Sequence, residues 1–91
     1  MNIICRLSVT ENHIRTGDPR STMNDPIALA LKEQYSLDIF SDELVAVGED
    51  EIFMVRKGED GKPHSYVADY PVKRFEQSLV PRTITLTFEE V

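Results

Sequence analysis

Apolar and polar side chains alternate from the start of the chain. Ile3, Cys5, Leu7 and Val9 fall on one side of an extended backbone, and Asn2, Arg6, Ser8 and Thr10 on the other, with Ile4 the exception. A period of two marks a strand with one buried face. Thr10 is placed to cap a short helical turn through Glu11–Arg15, and Gly17 to stop it in left-handed backbone. Residues 16–24 are polar and read as a loop. Asp25-Pro26 then starts a helix, because Asp accepts hydrogen bonds from the first free N–H groups and Pro loses nothing at the first helical position. The run Ile27-Ala28-Leu29-Ala30-Leu31 wraps most of that helix's circumference, so it is expected at the centre of the fold or under a partner.

The second half of the chain changes period. Leu44–Val47 and Ile52–Arg56 read as strands joined by a turn at Gly48–Glu51, and Gly58–Pro63 is a second turn with two glycines available for positive φ. His64–Tyr70 is a further strand. Pro71 opens a short helix with Val72, Phe75 and Leu79 on one face, Pro81 ends it, and Thr83–Phe88 alternates cleanly with Ile84, Leu86 and Phe88 inward. The expected architecture is a single α+β domain over residues 1–91. It has a mainly antiparallel sheet of four or five strands, packed by a central helix at 25–35 and a shorter one at 71–79. A chain of 91 residues fits about one domain. No apolar run reaches the roughly 18 residues that span a bilayer, and no signal-peptide pattern is visible.

Charge narrows the partners. Ten Lys and Arg stand against sixteen Asp and Glu, a net charge of −6, and residues 1–45 and 46–91 each carry −3. Binding through phosphates needs a concentrated basic surface, so direct nucleic-acid binding is not expected. Acid is concentrated instead. Asp38, Asp42, Glu43, Glu49, Asp50 and Glu51 lie in one stretch without a Lys or Arg among them. Such a stretch is either a solvated loop rim or an acidic face that docks on a basic protein surface. Tyr35 and Tyr70 flank element ends and join it as candidate binding residues, since aromatics dominate binding hot spots.

The usual chemistries find little support. The lone Cys5 excludes an intramolecular disulfide, suits a reducing cytoplasm, and lies where a small buried hydrophobe belongs. Cys5, His13 and His64 lack zinc-ligand spacing; His13 reads as a cap beside Thr10 and His64 as a strand-edge polar residue. Asp38, Asp42 and Glu43 lack the calcium-loop pattern. Gly61-Lys62 lacks the glycine five residues earlier that a phosphate loop requires, Arg56 standing there. No catalytic residue, metal or cofactor is expected.

The order of segments resembles a family of small uncharacterised bacteriophage and prophage proteins. The likeness rests on Thr10-Glu11-Asn12-His13-Ile14-Arg15-Thr16-Gly17, which holds a His-Ile-x-x-Gly segment. It rests too on Asp25-Pro26-Ile27-Ala28-Leu29-Ala30-Leu31, and on Tyr70-Pro71-Val72-Lys73-Arg74-Phe75-Glu76 before the last strand. Many members carry cysteine where Asp25 stands, so a role for that thiol does not transfer here, whereas helix capping does. The resemblance implies a phage accessory protein in the bacterial host cytoplasm and no catalytic residues. The expected function is non-enzymatic: binding a host or phage protein with a basic surface, with inhibition of a bacterial defence complex, anti-CRISPR-like, as one form. That last step is analogy with other small acidic inhibitors. The alternative is a structural or assembly component that forms a homo-oligomer.

Overall fold

A computed structural model describes residues 2–37 and 42–91. Its elements run β1 (Asn2–Val9), α1 (Glu11–Thr16), α2 (Pro26–Tyr35), β2 (Leu44–Val47), β3 (Glu51–Lys57), β4 (Pro63–Asp69), α3 (Val72–Ser78) and β5 (Arg82–Glu90). The five strands form one antiparallel sheet in the order β1-β5-β4-β3-β2. The α+β class expected from the alternation is the class observed.

The register explains the core. β1 pairs β5 from Asn2↔Glu89 to Val9↔Arg82, so Cys5, Leu7 and Val9 share a face with Leu86, Ile84 and Phe88, all buried. Ile52, Met54, Tyr66 and Ala68 continue that face across β3 and β4. Against it lies α2, with Ile27, Ala28, Ala30 and Leu31 all buried. The helix packs on both β1 and β2, which are the two edges of the sheet. The sheet therefore curls around the helix, and the small Ala28 and Ala30 let it come close. α3 is only seven residues long and has no side-chain cap; Val72 and Phe75, both buried, anchor it, and the Arg82 guanidinium lies 4.6 Å from the centre of the Phe75 ring. One edge is guarded by the loop before α2, whose Thr22 carbonyl accepts from the Val47 N–H at 2.7 Å. That bond occupies one N–H of the edge that could otherwise pair with another chain.

Two local expectations are met and two are corrected. Thr10 caps α1 in a reciprocal capping box, its Oγ1 accepting from the His13 N–H while His13 Nδ1 accepts from the Thr10 N–H. Asp25 caps α2 through the Ala28 N–H at 2.7 Å. Gly17, by contrast, is extended (φ −81°, ψ 157°) rather than left-handed. A Cβ there would sit 2.8 Å from both the His13 carbonyl oxygen and the Pro26 nitrogen, so glycine serves the close approach of two segments. Of the two turn glycines, Gly61 alone has positive φ (76°). At Gly58 a Cβ would collide with the His64 ring at 2.8 Å.

Candidate functional site

The acidic stretch is split by the strand it contains. Asp42 and Glu43 stand before β2, and Glu49, Asp50 and Glu51 follow it, at the far end of the sheet; Asp38 lies outside the described residues. Tyr35 belongs to the first end. It is half-buried, the Arg56 guanidinium sits 4.4 Å from its ring centre, and burial, with the Cys5 thiol beside it, pushes its hydroxyl up to about 12. Glu43 is also engaged, its Oε2 accepting from the Lys57 N–H at 3.0 Å. The two ends of β3 are about 20 Å apart at the usual rise per residue. The candidates therefore do not form one patch.

What the fold does bring together is Glu49, Asp50, Glu51 and Tyr70. The Tyr70 N–H donates to the Asp50 carbonyl at 3.0 Å and the Lys73 N–H to the Glu49 carbonyl at 3.1 Å, pinning the β2–β3 turn to the start of α3. The three carboxylates are left exposed. Asp69 joins them through the register Glu51↔Asp69, and lines a shallow cleft with Asp50, Tyr70 and Pro71. Two like charges directly opposite on a sheet are unfavourable, so the pairing marks a place where acid is kept despite its cost. Sequence reasoning missed Asp69 and Glu89, because only the pairing of β3, β4 and β5 sets them on one face.

That face is the one turned away from the helices. Leu44, Ala46, Phe53, Val55 and Val67 lie on it, all half-buried, with Phe53 opposite both Ala46 and Val67. Glu51, Asp69 and Glu89 border this apolar centre, and among the described residues no ion pair ties any of the three to a cation. Cations on the same face are Arg6 on β1 and Lys57 at the hairpin end.

A second cluster sits at the β3–β4 hairpin, beside a cleft of about 500 Å³. The His64 ring lies between Glu90 Oε2, 2.9 Å from Nδ1, and Asp60 Oδ1, 3.1 Å from Nε2. His64 is the second residue of β4, and the two carboxylates add to its reading as a strand-edge polar residue. Hydrogen bonds to Glu90 first and Asp60 second raise its pKa above the ordinary 6.5. Glu90 is lowered chiefly by His64, and Asp60 by the Lys62 N–H and then His64. With a carboxylate at each nitrogen the imidazolium is favoured and the ring has no lone pair to offer as a base. The clasp contributes below the His64 pKa of the unfolded chain and fades as pH rises through the raised folded value. It also fades in acid, as pH falls through the lowered values of the two carboxylates. The His64 ring protons followed by NMR should titrate above 6.5 and move down in Glu90→Gln; an unchanged midpoint would break the assignment.

The remaining reactive groups are engaged as well. Cys5 is 2% exposed, with Gln34 Nε2 3.4 Å from its sulfur, and His13 Nε2 lies 2.8 Å from Glu33 Oε2 while its other nitrogen caps α1. Among the described residues no group of three or more His, Cys, Asp or Glu is arranged to hold a metal ion, and no helix is long and apolar enough to cross a membrane. No family model, curated protein or solved structure matches the chain.

Proposed function

We propose that this chain is a non-enzymatic protein-binding module that docks a basic partner on the open face of its sheet. The observation that carries the reading is the composition of that face: an apolar centre of Phe53, Val55 and Val67 bordered by Glu51, Asp69 and Glu89. Apolar area uncovered by any described helix supplies affinity, and a carboxylate rim without partner cations supplies attraction for Lys and Arg. The engagement of Cys5, His13 and His64 in packing, capping and the clasp supports a non-catalytic role. On the resemblance to phage proteins, the partner would be a host or phage protein in the bacterial cytoplasm, a defence complex included.

Tagged wild type and a Phe53→Lys/Val67→Lys variant, each shown to be folded by circular dichroism, would be used to capture partners from host cells. A protein retained by the wild type should be lost by the variant. Binding of that purified protein should weaken with salt over a Debye length of about 8–10 Å. Equal capture by both forms would overturn the reading. A tight homo-oligomer in light scattering that the variant dissociates would replace it with the assembly role.

A further inference from the structure

The sheet is incompletely zipped between β4 and β5. β1 and β5 pair along their whole length, as do β3 and β4, but β4 and β5 pair only at Tyr66↔Glu90 and Val67↔Glu89, followed by the Val91 N–H to the Ser65 carbonyl at 2.9 Å. The next pair in register, Ala68 with Phe88, and the one after it, Asp69 with Thr87, are not paired. Beyond them β4 has no chain to offer. The Tyr70 N–H is already bonded to Asp50, Pro71 has no N–H, and α3 begins at Val72. The sheet is open at this seam because β4 ends at Asp69 and the chain leaves for α3, while β5 runs back to Arg82.

Alternation fixes which backbone groups face the opening. The Val91-to-Ser65 bond shows that odd-numbered residues of β5 point their N–H and C=O toward β4, and even-numbered ones therefore toward β1. The Tyr70-to-Asp50 bond gives the matching parity on β4, where even residues face β3 and odd residues face β5. Thr83, Thr85 and Thr87 thus present three N–H and three C=O groups to a side with no strand opposite, and all three residues are exposed. A cavity of about 470 Å³ lies over the open face at this seam, lined by Val67, Asp69, Thr85, Thr87 and Glu89 among others. An unpaired run on an internal strand is an unfinished ladder.

We propose that this seam takes an extended peptide as an added strand along Thr83–Thr87, with Lys or Arg at alternate positions and apolar residues between them. Main-chain bonds to the threonines would supply the affinity, in the mode of strand addition. Side-chain alternation sets the chemistry. On the open face each second residue lies beside Asp69 and Glu89, which calls for cations. On the other face the intervening residues continue the row of Ile84, Leu86 and Phe88, which calls for apolar groups. Arg6 is one strand away, across β5 opposite Thr85. The inference rests on the proposed basic partner and names the segment of it that is held.

The test is native-state amide exchange by NMR, with the capped heptapeptide Lys-Val-Lys-Val-Lys-Val-Lys as probe. In the free protein Thr83, Thr85 and Thr87 amides should exchange at least about ten-fold faster than those of Ile84 and Leu86, which face β1. The peptide should slow the three threonine amides about ten-fold. Peptides with Glu in place of Lys, or with every backbone N–H methylated, should do nothing, and Asp69→Lys/Glu89→Lys should abolish the protection while leaving the Ile84 and Leu86 amides slow. Threonine amides already as slow as their neighbours would show a closed seam and overturn the proposal. Protection that grows with protein concentration alone would make a second copy the occupant and overturn it too. Charge-dependent binding of the peptide without threonine protection would overturn strand addition yet leave the acidic face as a docking surface, which the Phe53 and Val67 variant tests separately.

Discussion

Asp25→Asn should make the protein more stable at pH 8, by roughly 2–4 kcal/mol, and by only about 1–2 kcal/mol at pH 5. The side chain of Asp25 is fully buried; Oδ1 accepts from the Ala28 N–H, and Oδ2 has no hydrogen-bond partner. Burial pushes its carboxyl up from the ordinary 3.8 to about 7, against the pull of the Ala28 N–H, and the Glu76 carboxylate on α3 pushes the same way. A carboxyl raised in the folded state binds its proton more tightly there than in the unfolded chain. Stability is therefore highest below about pH 4 for this group and falls as pH rises to about 7, by roughly 4 kcal/mol in all. Asparagine keeps the cap acceptor, cannot ionise, and offers an N–H where Oδ2 is orphaned. Urea unfolding at pH 5 and pH 8 measures both effects. If wild type and variant lose stability equally between the two pH values, the titrating group lies elsewhere.

Leu31→Ala should cost about 2–5 kcal/mol, because Leu31 is fully buried where α2 crosses the curled sheet and a truncation there leaves a cavity. A chain of this length has only about 5–14 kcal/mol of total stability. At about 4–8 °C per kcal/mol, the thermal midpoint should fall by about 8 °C or more. Gln34→Ala, which loses only the amide contact to the Cys5 sulfur from the exposed side of the same helix, should shift it by no more than a few degrees. Comparable losses from the two would mean that the buried side of α2 is misassigned. The pair also separates packing from charge, since neither residue ionises.

The local grammar of this chain was legible before any tertiary contact was known. Alternation at Ile3, Cys5, Leu7 and Val9, and again at Ile84, Leu86 and Phe88, places strands and inward faces because the pleat has a strict period of two. Thr10 and Asp25 announce helix starts because a cap and its N–H lie within three residues of one another. Where the sequence was misread locally, at Gly17 and Gly58, the cause was a neighbour: Pro26 in one case and the His64 ring in the other. Glycine's freedom in φ and its lack of bulk look identical in a sequence, and only the packed chain separates them.

The site was mostly illegible. Glu43 and Glu49 look contiguous, yet a four-residue strand sends them to opposite ends of the sheet. Glu51, Asp69 and Glu89 share one face through two strand pairings, and His64 meets Glu90 across 26 residues. Asp25 reads from sequence as an ordinary cap, and its burial beside Glu76 arises only when α3 docks. The open seam beside Thr83–Thr87 arises because β4 leaves the sheet for α3 at Asp69 while β5 continues. Residues near in sequence determined the elements, because caps and alternation act within a few residues. The juxtaposition of charges and the unfilled ladder depend on how distant segments pack, and so belonged to the tertiary structure.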